Sequence, residues 1–330
     1  MHAQDLANKV APGAGYVLAG LVVLGGVVFN IGNIGGTALG MNAMLGMDVK
    51  LGGTISAVIA IGVFLSKRAG VAMDRVVVVL GIVMIGMVLC TAIISDPPVG
   101  QALKQSVLPD DIDFLIITTL IGGTVGGYIT YAGAHRLVDS GITGPEHVAT
   151  ISRGSVTGIL VTGVMRVLLF LAVLGVVSGG AVLAVDNPPA SAFEHALGDI
   201  GVRVFGVILW AASITSVIGA SYTSVSFLSG LLKGNERHRN YAVVGFVAMC
   251  LALFLALGKA PVDLLVLAGA LNGLILPVGL TVILWVAARR WQDLLGGYKY
   301  PKWLLFIGIA VWVLTVYLGY QSLGGIKAQW

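Results

Sequence analysis

The sequence predicts an all-α fold, a polytopic membrane helical bundle of about nine transmembrane helices forming one domain over residues 1–330. Three observations predict it. Mean hydropathy is +0.98, with 57% of residues hydrophobic and only 10% charged, whereas a soluble domain carries about 25% charged residues. Nine apolar runs approach the roughly 20 residues a helix needs to cross the hydrocarbon core. Lys and Arg gather in alternate connections, thirteen against five, as the positive-inside bias requires.

The runs lie at 15–46, 52–66, 71–95, 114–140, 156–180, 204–232, 241–258, 264–288 and 304–323. The second is short and needs shielding by its neighbours. The basic residues place the amino terminus on the cytoplasmic side of a cell membrane and the carboxyl terminus outside, leaving Arg166 within a span. Orientation therefore accounts for the net charge of +4, and nucleic acid is excluded as a partner. Membrane lipid and a small solute or ion remain. Cys90 and Cys250 sit in apolar runs without paired spacing, and read as small core residues rather than a disulfide or metal site. Two acidic outer loops, 96–113 and 186–203, carry proline pairs and are too short to be domains. There is no phosphate loop, no Gly-x-Ser-x-Gly elbow and no paired intramembrane carboxylate, so the sequence calls for no cofactor and no enzymatic activity.

Taken in order, the spans differ in their polar content. The first carries Asn30, Asn33 and Thr37 at i, i+3 and i+7, one helical face, with Gly32, Gly35, Gly36 and Gly40 among them. The fourth reads Ile121-Gly122-Gly123-Thr124-Val125-Gly126-Gly127-Tyr128 at its centre. Two glycine pairs at mid-membrane predict a broken helix, tolerated only where it is buried or lines a cavity. His135, Arg136 and Asp139 follow at its inner end. Arg166, about ten residues into the fifth span, needs a partner, and Asp139 is the candidate. The sixth holds a Ser/Thr run from Ser213 to Ser226, and the eighth holds Asn272, Gly273 and Pro277, a second expected irregularity. Most of the 47 glycines read as packing positions. A polar, interrupted interior within an apolar bundle points to movement of a small solute or ion.

Three stretches resemble the natural resistance-associated macrophage protein (NRAMP) family of divalent metal transporters. Asn30 through Gly46 is similar to the family's third helix, Gly122 through Tyr128 to its sixth-helix G-A-T-V-M-P-H, and Val262 through Pro277 to its tenth helix. The resemblance runs the whole chain and implies an inverted-repeat bundle of the leucine-transporter type (APC superfamily). It begins at the family's third helix, so the first two helices, with the D-P-G-N segment that supplies an Asp and an Asn to the metal, are expected to be absent or supplied by another chain.

Substitutions within the motifs change the implied chemistry. The thioether ligand becomes Gly126, the following Pro becomes Gly127, the His becomes Tyr128, and the tenth-helix Gln becomes Gly269. The acidic pair associated with proton movement becomes Asn30 and Asn33. Losing a thioether removes the preference for softer metals, and amides do not titrate near physiological pH. The resemblance thus implies a divalent cation pathway lined by Gly123, Gly126, Gly127, Tyr128, Asn30, Asn33, Gly269 and Asn272, with Gly123 and Tyr128 as metal-facing groups and no proton coupling through the third-helix positions. Two alternatives stay open: a transporter of an amino acid or other organic solute, and a non-transporting membrane subunit or fragment.

Overall fold

The computed structural model describes residues 1–125, 129–228, 236–258 and 261–329. Every regular element among these residues is helical. A short α1 (Ala3–Val10) precedes the long α2 (Ala14–Leu45), which is followed by α3 (Val49–Leu65), α4 (Lys67–Ile94) and α5 (Val99–Val107). The fourth apolar run is divided between α6 (Phe114–Val125) and α7 (Ile129–Asp139). After these come α8 (Val148–Ser178), α9 (Pro188–Leu228), α10 (Glu236–Leu257), α11 (Pro261–Arg289), α12 (Trp291–Leu294) and α13 (Lys302–Gln329).

Six of these, α2, α8, α9, α10, α11 and α13, are long and apolar enough to cross a membrane. The α4–α5 pair bends by 105°, and α3 and α6 are shorter apolar helices. Local chemistry sets the boundaries. Gly46 adopts φ 67° and its N–H bonds the Asn42 carbonyl, closing α2 in a left-handed cap. Asp48 accepts the Leu51 N–H at 3.0 Å and opens α3. The prolines at 97 and 98 stop α4, because neither can donate to a continuing helix. The outer segment 96–113, expected as loop, thus contains α5, and 186–203 supplies the first turns of α9, which bends at Gly198 (φ 65°). α11 is a single helix through Asn272, Gly273 and Pro277, where an irregularity was expected. The Pro277 carbonyl still accepts from Trp312 Nε1 at 3.1 Å, tying α11 to α13.

α2 is the hub. Its glycines meet α9 in antiparallel register: Gly26 opposes Ser224, Gly36 opposes Ser213 and Gly40 opposes Trp210. A Cβ placed at these three glycines would lie 2.0, 2.6 and 2.6 Å from the facing atoms. Gly206 of α9 returns the fit, with its Cβ position 2.6 Å from the Met44 backbone nitrogen. On the neighbouring face, Gly25, Gly32 and Gly35 meet Asn272, Leu265 and Pro261 of α11, again antiparallel. Gly52 and Gly53 seat α3 on Met41 and Ile34 of α2, and Trp210 Nε1 donates to Ser56 Oγ at 2.9 Å. The short second run is therefore shielded by two longer helices. Ile31, Ile34, Ile214, Val217 and Phe254 fill the space between α2, α9 and α10.

A second core holds α4 and α8 against α9, with Val88, Ala172 and the stacked rings of Phe193 and Phe205 (centroids 4.7 Å apart). Cys250 is buried, but Cys90, expected in the core, is exposed on α4; both thiols are free. The outward faces of α8 and α13 display Ile159, Leu160, Phe306 and Tyr320, as surfaces solvated by lipid chains do.

Close approach across α2 makes a sharp contrast between glycines of the same helix. Gly40→Val overpacks a backbone contact, a class of change costing about 1–3 kcal/mol or more, and should lower the thermal midpoint of the purified protein in detergent. Gly20→Ala, where a Cβ meets nothing within 4 Å, should leave it unchanged.

Candidate functional site

The candidate site residues are distributed over three helix interfaces that share α2 and α11. At the crossing of α6 with α11, glycines bring backbone onto backbone. A Cβ at Gly122 would lie 1.8 Å from the Gly269 carbonyl oxygen, and one at Gly273 would lie 2.5 Å from that of Thr118. Gly269 itself is buried with its Cβ position 2.6 Å from the Thr119 carbonyl oxygen. It is therefore a packing glycine in this structure. Gly123, one residue on from Gly122, faces open space and is half-buried. The remaining residues of this motif, Gly126, Gly127 and Tyr128, lie outside the described residues.

Asn272 is fully buried in the α11–α2 interface. Its Nδ2 donates to the Gly25 carbonyl at 3.1 Å and to the Ala268 carbonyl of its own helix at 2.9 Å. Asn30 belongs to the α2–α9 interface, where its Nδ2 donates to Ser221 Oγ at 3.0 Å, and Ser221 passes its own proton to the Val217 carbonyl at 2.7 Å. Asn33, one turn further along α2, is buried on the same side. Asn30 is thus committed to α9, and α11 carries the contacts that join α2 to α6.

These amides are only half satisfied. Asn30 Oδ1, Asn33 Nδ2, Asn272 Oδ1, Ser224 Oγ and Thr119 Oγ1 are buried and find no hydrogen-bond partner among the described residues. Each such group costs about 1–3 kcal/mol when left dry, so a set of them in one bundle core calls for water, which can meet the Asn33 donor and the oxygens alike. Much of the sixth-span run is spoken for differently: Thr215, Ser221, Thr223 and Ser226 bond back to carbonyls of α9 itself.

The expected Arg166–Asp139 pair is corrected by the geometry. Asp139, at the last residue of α7, accepts from the Tyr222 hydroxyl and pairs with His2 Nε2 at 2.9 Å. α7 packs on α9, which places the carboxylate against the amino-terminal segment. Arg166 is exposed on α8 and makes no ion pair among the described residues. Missed in the sequence was His2, which lies far from any motif and is brought to Asp139 only by the docking of α1. Among the described residues no group of three or more His, Cys, Asp or Glu side chains could hold a metal ion.

Comparison with known proteins gives a consistent picture. The sequence profile described as natural resistance-associated macrophage protein-like (Nramp) matches residues 1–324. The chain is 48% identical over 322 residues to an uncharacterized membrane protein of Haemophilus influenzae, covering 98% of this chain and 80% of that protein. It is equally 48% identical over 320 residues to the uncharacterized membrane protein YcsG of Bacillus subtilis, covering 97% of this chain and 78% of that protein.

The crossing of α6 and α11 separates two adjacent glycines by role. Gly122→Ala should sharply reduce the monodisperse fraction on size exclusion, because the new methyl collides with backbone that has no side chain to rotate away. Gly123→Ala should elute like the parent protein.

Proposed function

The chain belongs to the natural resistance-associated macrophage protein-like family, whose work is metal ion transport, and from that premise we propose that it moves a divalent cation of the harder, more hydrated kind, such as magnesium. The observation that carries this reading is the set of buried neutral amides. Asn30 Oδ1 and Asn272 Oδ1 are buried oxygens without partners among the described residues, and Asn33 adds a buried neutral amide whose open atom is the Nδ2 donor, where carboxylates would serve a proton-coupled path. A glycine at 126 in place of a thioether removes the preference for softer metals. Amides at 30 and 33 cannot exchange protons near neutral pH, so transport runs without proton coupling through these positions.

In this reading the pathway is lined by Gly123, Gly126, Gly127, Tyr128, Asn30, Asn33 and Asn272, while Gly269, grouped with them by motif, packs α11 against α6. Gly123 offers a carbonyl, Tyr128 a hydroxyl, and the amides their Oδ1 atoms. The protein sits in the cell membrane with its amino terminus cytoplasmic, as the basic residues of its connections favour.

One observation favours a completing partner. Arg166 stands near the middle of α8 on an exposed face, and a charged side chain at that depth costs about 2.5–3.5 kcal/mol unless it is paired or hydrated. A helix from another chain, bearing an acidic residue at the same depth, would meet that need. Native mass spectrometry should then show an assembly heavier than the 34.0 kDa chain, reduced to the single chain by Arg166→Leu. A monomer in both samples counts against the partner.

Uptake into proteoliposomes tests the main reading. Magnesium should enter at a rate that is unchanged by an imposed pH gradient, and Asn33→Ala or Tyr128→Ala should cut it by about tenfold or more, the loss expected when one ligand oxygen is removed. Manganese preferred over magnesium, or uptake driven by the gradient, would sink it. Entry of amino acids alone would move the assignment to organic solutes.

A further inference from the structure

α1 is not a tail lying on the surface. Gly13 turns the chain with φ 89°, and Gly15 lets α2 come so close to α1 that a Cβ there would lie 2.1 Å from the Gln4 carbonyl oxygen. Asn8 Oδ1 accepts the Gly15 N–H at 2.9 Å and locks the turn. The helix is thereby folded back across the end of the bundle where α7, α9 and α11 terminate. Its Ala7 is buried in a cluster with Leu18, Val22, Tyr131 and Phe227.

Polar contacts fasten it at both ends. The His2 ring stacks on His135 (centroids 4.5 Å), which stacks in turn on Phe227 (4.4 Å). His2 pairs with Asp139. The Ala3 N–H donates to His135 Nε2 at 3.1 Å, so that nitrogen is an acceptor and Nδ1 carries the proton given to Ser226 Oγ at 2.8 Å. Gln4 Nε2 donates to the Ser226 carbonyl. At the other end, Arg290 Nη1 donates to the Lys9 carbonyl at 3.2 Å, where a guanidinium suits the negative pole of a helix. Arg290 is itself held by Asp293, whose carboxyl that bond keeps below its ordinary range.

Beyond α1 lie buried polar atoms without partners among the described residues, Tyr131 OH, Ser224 Oγ and Asn272 Oδ1, and α1 adds its own Gln4 Oε1. Register orders them along the bundle. Tyr131 OH lies beside Gly279, while Ser224 and Asn272 flank Gly26 and Gly25 of α2, about 17 Å along that helix from its start at 1.5 Å per residue. Ser224 lies on the α9 face of α2 and Asn272 on its α11 face, both deeper in the bundle than the apolar cluster of Ala7, Leu18, Val22, Tyr131 and Phe227 that α1 completes at this end. We infer that α1 is a plug over this end of the bundle, held by the His2–Asp139, His135–Ser226 and Gln4–Ser226 contacts, and that it must undock before the buried polar groups beyond it hydrate. The inference rests on the transport reading only for its consequence; the plug itself is tested without a substrate.

Two measurements on the full chain, with Cys90→Ser and Cys250→Ala as background, decide it. In detergent, a Ser224→Cys thiol should resist maleimide while α1 is docked, and His2→Ala with Gln4→Ala should speed its labelling by about tenfold or more, as local opening does. A Val88→Cys thiol in the second core should stay inert in the same variant. Equal labelling of Ser224→Cys with and without undocking, or faster labelling at both positions, overturns the plug. In proteoliposomes, His2→Cys with Asp139→Cys joined by a short reducible bis-thiosulfonate should stop magnesium uptake, with recovery on reduction. Full uptake while tethered overturns it. If labelling responds but no cation is carried by any variant, the plug stands and the transport reading falls.

Discussion

Lipid offers helices no hydrophobic reason to associate, so the bundle depends on how closely backbones can approach. Here that approach is concentrated on α2. Gly26, Gly36 and Gly40 admit α9 on one face, and Gly25, Gly32 and Gly35 admit α11 on the next. Both partners run antiparallel to α2 in unbroken register. Each glycine removes a side chain that would hold two helices apart, and the gain is dispersion contact and weak Cα–H···O bonding spread over several turns. α3, α10 and α6 then attach to surfaces that this three-helix unit has already set.

The candidate site inherits its geometry from the same unit. Asn30 reaches Ser221 because Gly26 lets α9 lie against α2, and Asn272 reaches the Gly25 carbonyl because a glycine there leaves room for its side chain. The polar groups occupy seams between tightly packed helices, and their second valences stay open. A bundle in which several buried amide and hydroxyl atoms lack partners has a reason to admit water or ions along those seams. The plug helix α1 covers the end of one such seam with apolar Ala7 and a stack of three rings.

Much of this was legible in the order of residues. Apolar runs, their basic flanks and the i, i+3, i+7 placement of Asn30, Asn33 and Thr37 all follow from short-range periodicity, and among the described residues the runs fall on helices, the fourth on two. The reading of glycines as contacts is met at Gly36 and Gly40 but not at Gly20, Gly81 or Gly158, which face open space, whereas Gly122, expected in a helix break, and Gly269, assigned to a pathway on motif grounds, both turn out to be packing contacts. Cys90 went astray because an apolar run does not tell which side of a helix meets the core and which meets lipid. The irregularity expected at Asn272, Gly273 and Pro277 does not interrupt α11, which continues through them to Arg289.

Hydropathy, charge and motif spacing are properties summed along the chain, and from them the sequence by itself determined an all-helical membrane bundle and the family it belongs to. Which side chains become partners was decided only by tertiary structure. Asp139 lies 27 residues before Arg166 and 137 after His2, yet it is His2 that it meets. That choice follows from the turn at Gly13 and the glycine-cut grooves of α2, α9 and α11, whose complementary shapes exist only once helices far apart in sequence are laid side by side.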